Sequence, residues 1–307
     1  MKLVRYGGGR TGLLVHGVGD GVVVDVAVNL PELLPADGGW ATLIEDWPKQ
    51  RAQLSALEAE AVSGSANGLH NLAETRLEAP LPDVRSRIYA MGGNFPAHVG
   101  GALGKLAMNV PASDAPPWGF YVIPGTVVGP DAEISPPPAT QKLDYEAELC
   151  VVLTGRTGPD GGPEIWGYTG WNDFSIRDAA FGLSKVDHGP LTWSLQKNFT
   201  SANACGPCMV VDEPISDGVA IACRVNGELR QEGISTDMKF GFPEIVAHIS
   251  EYLPFAPADM ILSGTPSGTA MESGPDGPFL RDGDVTEVEV GDAGVLRNRV
   301  VLRGAAT

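Results

Sequence analysis

The sequence predicts an α+β fold in which β-structure dominates. Most of the chain past residue 75 falls into short aliphatic or β-branched runs punctuated by Gly, Pro, Asn and Asp. Few stretches, chiefly 40–61 and 243–253, carry the spacings of three and four that mark a helix with a buried face. Over 307 residues, 43% hydrophobic content against 19% charged is enough for a real core, divided between one large domain and a smaller one.

The opening residues alternate apolar runs with turns: Leu3–Tyr6, Leu13–His16 and Val22–Val26, separated by Gly7-Gly8-Gly9 and by 17–21. This is the pattern of a small antiparallel sheet. From Trp40 to Ala61 the pattern turns helical, with Leu54, Leu57 and Ala61 on one face, and Pro48 makes it two helices or a kinked one. The glycine- and serine-rich run 63–68 breaks it, and the prolines of Ala79-Pro80-Leu81-Pro82 favour an extended connection. A boundary near residue 75 is therefore expected, with a small N-terminal β/α domain over 1–75 and a larger domain over 76–307.

In the larger domain strands are expected at 86–91, 120–123, 148–153, 209–211, 220–225, 260–262, 286–290 and 295–301. Asn226-Gly227 accepts the positive φ angles of a tight hairpin turn. The helix over 243–253 has Ile245, Ile249 and Leu253 in register.

A formal net charge of -17 opposes binding to phosphate backbones, so nucleic acid is not expected as a partner. No run is long and apolar enough for a membrane span, and Met1–Tyr6 leads into glycines rather than a signal core, which predicts a cytoplasmic protein. The same acidity gives an anionic substrate no long-range attraction, so a bound cation or local basic residues must supply it. Cys205-Gly206-Pro207-Cys208 has the spelling of a dithiol motif, but the β-branched run after it predicts a strand rather than the helix N-terminus that activates a thiol. A dithiol oxidoreductase is the weaker reading.

The chemistry is concentrated in the stretch 143–153, which opens Leu-Asp-Tyr-Glu-Ala-Glu-Leu. On a strand, Asp144, Glu146 and Glu148 would project from one face and repel one another. Hard oxygen ligands of this kind suit Mg²⁺, Mn²⁺ or Ca²⁺, and the alternative is an edge strand with its acids in water. Downstream, Gly167-Tyr168-Thr169-Gly170-Trp171-Asn172-Asp173-Phe174-Ser175-Ile176-Arg177-Asp178 enters a polar turn.

Together these two segments resemble the core signature of the fumarylacetoacetate hydrolase family. The resemblance implies a mixed β-sandwich roll preceded by a small N-terminal domain, a homodimer, and a divalent cation, Mg²⁺ first, held by Glu146, Glu148 and Asp173. A small 2-oxo acid would complete the coordination. Trp193–Phe199 resembles the family's catalytic-lysine stretch, which makes Lys197 the residue that stabilises a developing enolate or moves a proton. Gly92–His98 resembles its histidine segment, with His98 as general base or proton carrier. By the same resemblance Arg177 and Thr265 are substrate contacts, Thr265 within a loop, 263–268, that would grip a carboxylate.

Three positions depart from the family pattern. Gly101 stands where many members have a glutamate three residues after the histidine, Ala180 replaces a common glutamine, and Phe120-Tyr121-Val122 replaces Phe-x-Lys. The stretch 99–117, rich in Gly, Ala and Pro, is expected to form a lid. The resemblance implies carbon–carbon hydrolysis of a 2,4-dioxo acid such as an acylpyruvate as the first function. Oxaloacetate-type decarboxylation or keto–enol tautomerisation is the alternative through the same enolate, and a metal-binding pseudoenzyme is the non-enzymatic one.

Overall fold

The computed structural model describes residues 1–34, 38–83, 85–102, 114–159, 161–183 and 189–303. The expected dominance of strands is observed. One sheet of twelve strands and one of five account for most of the β-structure among the described residues. At the centre of the large sheet Ala147–Thr157 pairs antiparallel with Pro163–Asp173 on one side and Met260–Leu262 on the other. Pro163–Asp173 in turn pairs with Asn203–Val211.

The central strand reads as a near-continuous apolar run because both of its faces are covered. Leu149, Val151 and Leu153 enter the core shared with the five-stranded sheet, beside Ile221, Val288 and Leu296. Cys150 and Val152 enter a second core, covered by Trp40, Trp47, Leu54 and Leu57 from the helical region. That region is two helices, Ala41–Glu45 and Trp47–Ser63, with Pro48 in the first turn of the second, where its missing N–H costs nothing.

The N-terminal strands Lys2–Tyr6, Arg10–Val15 and Val22–Asp25 form the expected antiparallel meander. Lys2–Tyr6 also pairs with Asn203–Val211, so the meander continues the large sheet. The hairpin at Asn226-Gly227 is present with φ of 53° and 80°, and the later helix runs Phe242–Ser250. No helix of the described residues is long and apolar enough to cross a membrane. The core of the expected lid, 103–113, lies outside the described residues.

Candidate active site

Glu148 is the second residue of the strand Ala147–Thr157, and Asp173 ends the strand Pro163–Asp173. Glu148 lies opposite Trp171, so Glu148, Trp171 and Asp173 share the face of the sheet that carries the second core, and Glu146 lies just before the strand. The acidic residues lie where these strands begin and end. There, one oxygen from each of Glu146, Glu148 and Asp173 lies within 4.8 Å of the others, and all three residues are buried.

Asp144 departs from expectation. The strand is interrupted between Leu143–Asp144 and Ala147–Thr157, so the simple alternation that would align three carboxylates breaks down. Its carboxylate instead accepts from Arg177 Nε at 3.2 Å and from the N–H groups of Ala270 and Met271 at 2.8 and 3.2 Å. Asp144 thus ties the short turn Ala270–Ser273 to the site.

Lys197 ends the helix Pro190–Lys197 and is buried. Its ammonium donates to Glu146 and, at 2.5 Å, to Asp173, and lies 5.2 Å from the centre of the Phe120 ring. Arg177 donates to Glu146 as well as Asp144. Burial alone would push the Glu146 carboxyl up, but Arg177 and Lys197 hold it well below the usual carboxylate range. Glu148 is pushed well up by burial, reinforced by the charges of Asp173 and Glu146, and Asp173 is pushed up to about 7, chiefly by burial. Lys197 is held charged, since Asp173 and Glu146 outweigh the effect of burial.

These residues fit a divalent cation. Four buried carboxylates, Asp144, Glu146, Glu148 and Asp173, face two buried cations, Arg177 and Lys197, and a divalent ion would supply the missing charge. Among the described residues Asp173 Oδ1 is buried without a hydrogen-bond partner, an acceptor aimed at nothing in the protein. All-oxygen donors on a rigid sheet suit Mg²⁺ or Mn²⁺.

Thr265 Oγ1 donates to the Ala147 carbonyl at 2.9 Å and accepts from Gln231 Nε2 at 2.8 Å, so here it braces the start of the ligand strand. Gln231 also accepts from the Ala147 N–H at 3.0 Å. In the same loop the Gly264 N–H donates to Glu148 at 3.1 Å. Gly264 has φ +79°, and a Cβ there would come within 3.1 Å of the Met91 carbonyl oxygen, so only glycine aims this N–H without strain.

His98 lies in the helix Pro96–Ala102 and is buried. Its Nδ1 is 2.6 Å from Glu272 Oε1. Sequence reasoning missed Glu272: the spelling Thr269-x-x-Glu272 marks a helix-start capping box, but nothing local links it to a histidine so far away in the chain. It also missed the bracing role of Gln231.

Cys205 and Cys208 lie on the strand Asn203–Val211, both buried and free, as the strand reading expected. Burial pushes both thiols up, Cys208 to about 12, which leaves no reactive thiolate.

Comparison with known proteins agrees with this architecture. The human mitochondrial oxaloacetate tautomerase FAHD2A is 34% identical over 222 residues, which cover 70% of this chain and 66% of that protein. The oxaloacetate tautomerase YisK of Bacillus subtilis is 33% identical over 244 residues, covering 76% of this chain and 75% of YisK. The solved structure of a fumarylacetoacetate hydrolase from Exiguobacterium antarcticum superposes with a TM-score of 0.71 at 25% identity, covering 99% of this chain and 100% of that one. The profile of the fumarylacetoacetate hydrolase C-terminal domain matches residues 87–301, which takes in every ligand and proton-carrier candidate above, and the chain belongs to the fumarylacetoacetate hydrolase family.

Proposed function

We propose that this chain is a divalent-cation-dependent enzyme that interconverts the keto and enol forms of a small 2-oxo acid, an oxaloacetate-like diacid first among them. The observation that carries the reading is the buried triad Glu146, Glu148 and Asp173 with the Lys197 ammonium inside it. The human and Bacillus relatives are oxaloacetate tautomerases, which supports this substrate and reaction over the hydrolysis expected from the sequence. A cation held by the triad would supply positive charge beside the 2-oxo and carboxylate oxygens of the substrate.

The remaining steps belong to the chain's own side chains. Lys197, kept protonated by its carboxylate neighbours, offers a charge and a proton where negative charge develops on the keto oxygen. His98 carries a proton to and from substrate carbon. Arg177 neutralises Glu146 and Asp144, which keeps the ligands in place. Thr265 belongs to the loop that would face the substrate carboxylate, with its own hydroxyl spent on the scaffold.

Carbon–carbon hydrolysis of a 2,4-dioxo acid is the second reading, and the His98–Glu272 pair favours it, because a histidine held by a carboxylate can also deprotonate water. The homodimer is likewise a proposal. Exposed Tyr121, Ile123, Leu191 and Leu195, on neighbouring segments joined through Asn198, give it an apolar face.

The test offers the purified protein with Mg²⁺ both oxaloacetate and acetylpyruvate, following the enol absorbance and identifying products by mass. Faster loss of the oxaloacetate enol signal without change of mass supports tautomerisation. Cleavage of acetylpyruvate supports the second reading, release of carbon dioxide from oxaloacetate supports decarboxylation, and no Mg²⁺-dependent turnover of either compound sinks all three.

A further inference from the structure

The strand Met260–Leu262 runs antiparallel beside Ala147–Thr157, with Leu262 opposite Cys150. Carried on along the chain, that register sets Ser263 against Leu149, Gly264 against Glu148 and Thr265 against Ala147. The main-chain ladder does not follow it all the way. The Ser263 N–H still donates to the Leu149 carbonyl at 2.9 Å, but the Leu149 N–H goes to Ser263 Oγ at 3.0 Å. At Gly264 the positive φ bends the chain so that its N–H meets Glu148. Beyond the bend, Thr265 makes no main-chain bond to Ala147. Ala147, the residue between the two glutamates, thus loses its ladder partners on this side, and buried as it is it needs others.

Side chains supply them. Thr265 Oγ1 donates to the Ala147 carbonyl at 2.9 Å, and Gln231 Oε1 accepts from the Ala147 N–H at 3.0 Å. Gln231 Nε2 closes the ring by donating to Thr265 Oγ1 at 2.8 Å, and also donates to the Pro266 carbonyl at 2.8 Å. Gln231 is the one buried residue of the strand Glu228–Ile234, at the edge of the five-stranded sheet. The loop is pressed onto that strand: a Cβ on Gly268 would lie 2.0 Å from the Arg230 carbonyl oxygen. One amide therefore ties the smaller sheet to the peptide that joins Glu146 to Glu148.

We propose that Gln231 is a positioning residue for the cation ligands: its ring with Thr265 and Ala147 fixes that peptide and so sets how far apart the Glu146 and Glu148 carboxylates stand. This rests on the cation reading given above. It also gives Thr265 a role that needs no contact with substrate. Mg²⁺ demands near-ideal octahedral geometry at about 2.1 Å, whereas Ca²⁺ accepts a wider and looser cage. A glutamate pair held at fixed spacing favours Mg²⁺, and loosening it costs Mg²⁺ affinity first.

The test compares Gln231→Met, Thr265→Val and the double variant, all near in shape to wild type and each opening the ring. Affinities for Mg²⁺ and for Ca²⁺ are measured by calorimetry, with Tm taken on the cation-free proteins. Each single variant is expected to bind Mg²⁺ about 10-fold more weakly while Ca²⁺ affinity falls less than about 3-fold. Because either change opens the same ring, the double variant should lose about as much as Gln231→Met alone, not the product of the two. Thr265→Val carries the test by itself if Gln231→Met does not fold. A lower Tm with Mg²⁺ affinity unchanged, equal losses for the two cations, or losses that multiply in the double variant would each overturn the assignment. Absence of cation binding by wild type would instead count against the proposed function. Amide hydrogen exchange over 144–149 in the cation-free proteins then decides the role of Gln231: exchange about 10-fold faster in Gln231→Met supports it, and unchanged exchange overturns it.

Discussion

The backbone N–H of Asp173 donates to the carbonyl of Glu146 at 2.9 Å, so two of the three candidate ligand residues are clamped together by main chain before any side chain acts. Ser175 Oγ adds to the clamp, donating to the Asp173 carbonyl at 2.9 Å and lying 3.2 Å from Glu146 Oε2. A site fixed this way keeps its shape when one carboxylate is made neutral.

Glu148→Gln should therefore fold normally and keep the bond from Gly264 N–H, since the amide oxygen still accepts. It removes an anionic ligand. Mg²⁺ affinity measured by calorimetry should collapse and turnover fall by about 100-fold or more. A variant that keeps full turnover in the presence of a chelator would refute the cation mechanism.

The protons on the triad make stability depend on pH in a definite sense. An acid whose folded pKa is raised holds its proton in the folded state where the unfolded chain has released it, so folding weakens as pH rises through that window. For Asp173 the window runs from its ordinary 3.8 to about 7, and Glu148 is shifted in the same direction. Glu146 is shifted downward, so its contribution is complete above its ordinary 4.5 and stays constant there. The cation-free protein should lose Tm as pH rises from about 4 to about 7, and Mg²⁺, by displacing these protons, should raise Tm more at the upper end. A Mg²⁺-induced gain independent of pH would contradict this account.

Much of this was legible in the sequence, and the reasons are local. The strands around 148–153 and 260–262 were visible because burial on two faces leaves an apolar run with few alternatives. Glu146, Glu148 and Asp173 were singled out by the resemblance of two motifs to the family signature, and the fold brings them together. What escaped depends on pairings that no local pattern encodes. The interruption after Asp144 sends that carboxylate to Ala270 and Met271, Lys2–Tyr6 joins Asn203–Val211, and Glu272 takes the place beside His98 that Gly101 leaves open.

Gly264→Ala tests the loop geometry. The new methyl would meet the Met91 carbonyl and Asn94 Cβ, both 3.1 Å away, at a residue with positive φ. Left-handed backbone and crowding together should cost about 2 kcal/mol in chemical denaturation. Because the Gly264 N–H would swing away from Glu148, Mg²⁺ affinity should weaken too. Unchanged stability and affinity would mean that the loop relaxes freely.

Lys197→Met separates catalysis from metal binding, because the two depend on this residue with opposite signs. The ammonium sits against Glu146 and Asp173, and so competes with an incoming cation for the same oxygens. Replacing it with an apolar chain of similar length leaves those carboxylates without their proton donor and removes a repelling positive charge. Mg²⁺ should then bind at least as tightly as in wild type, measured by calorimetry at a pH above that at which Asp173 gives up its proton. Turnover should nevertheless fall by about 100-fold or more, because the charge and proton facing the developing enolate are gone. Loss of Mg²⁺ affinity in step with activity would make Lys197 part of the cation's support, and would remove it from the proton chemistry assigned to it here.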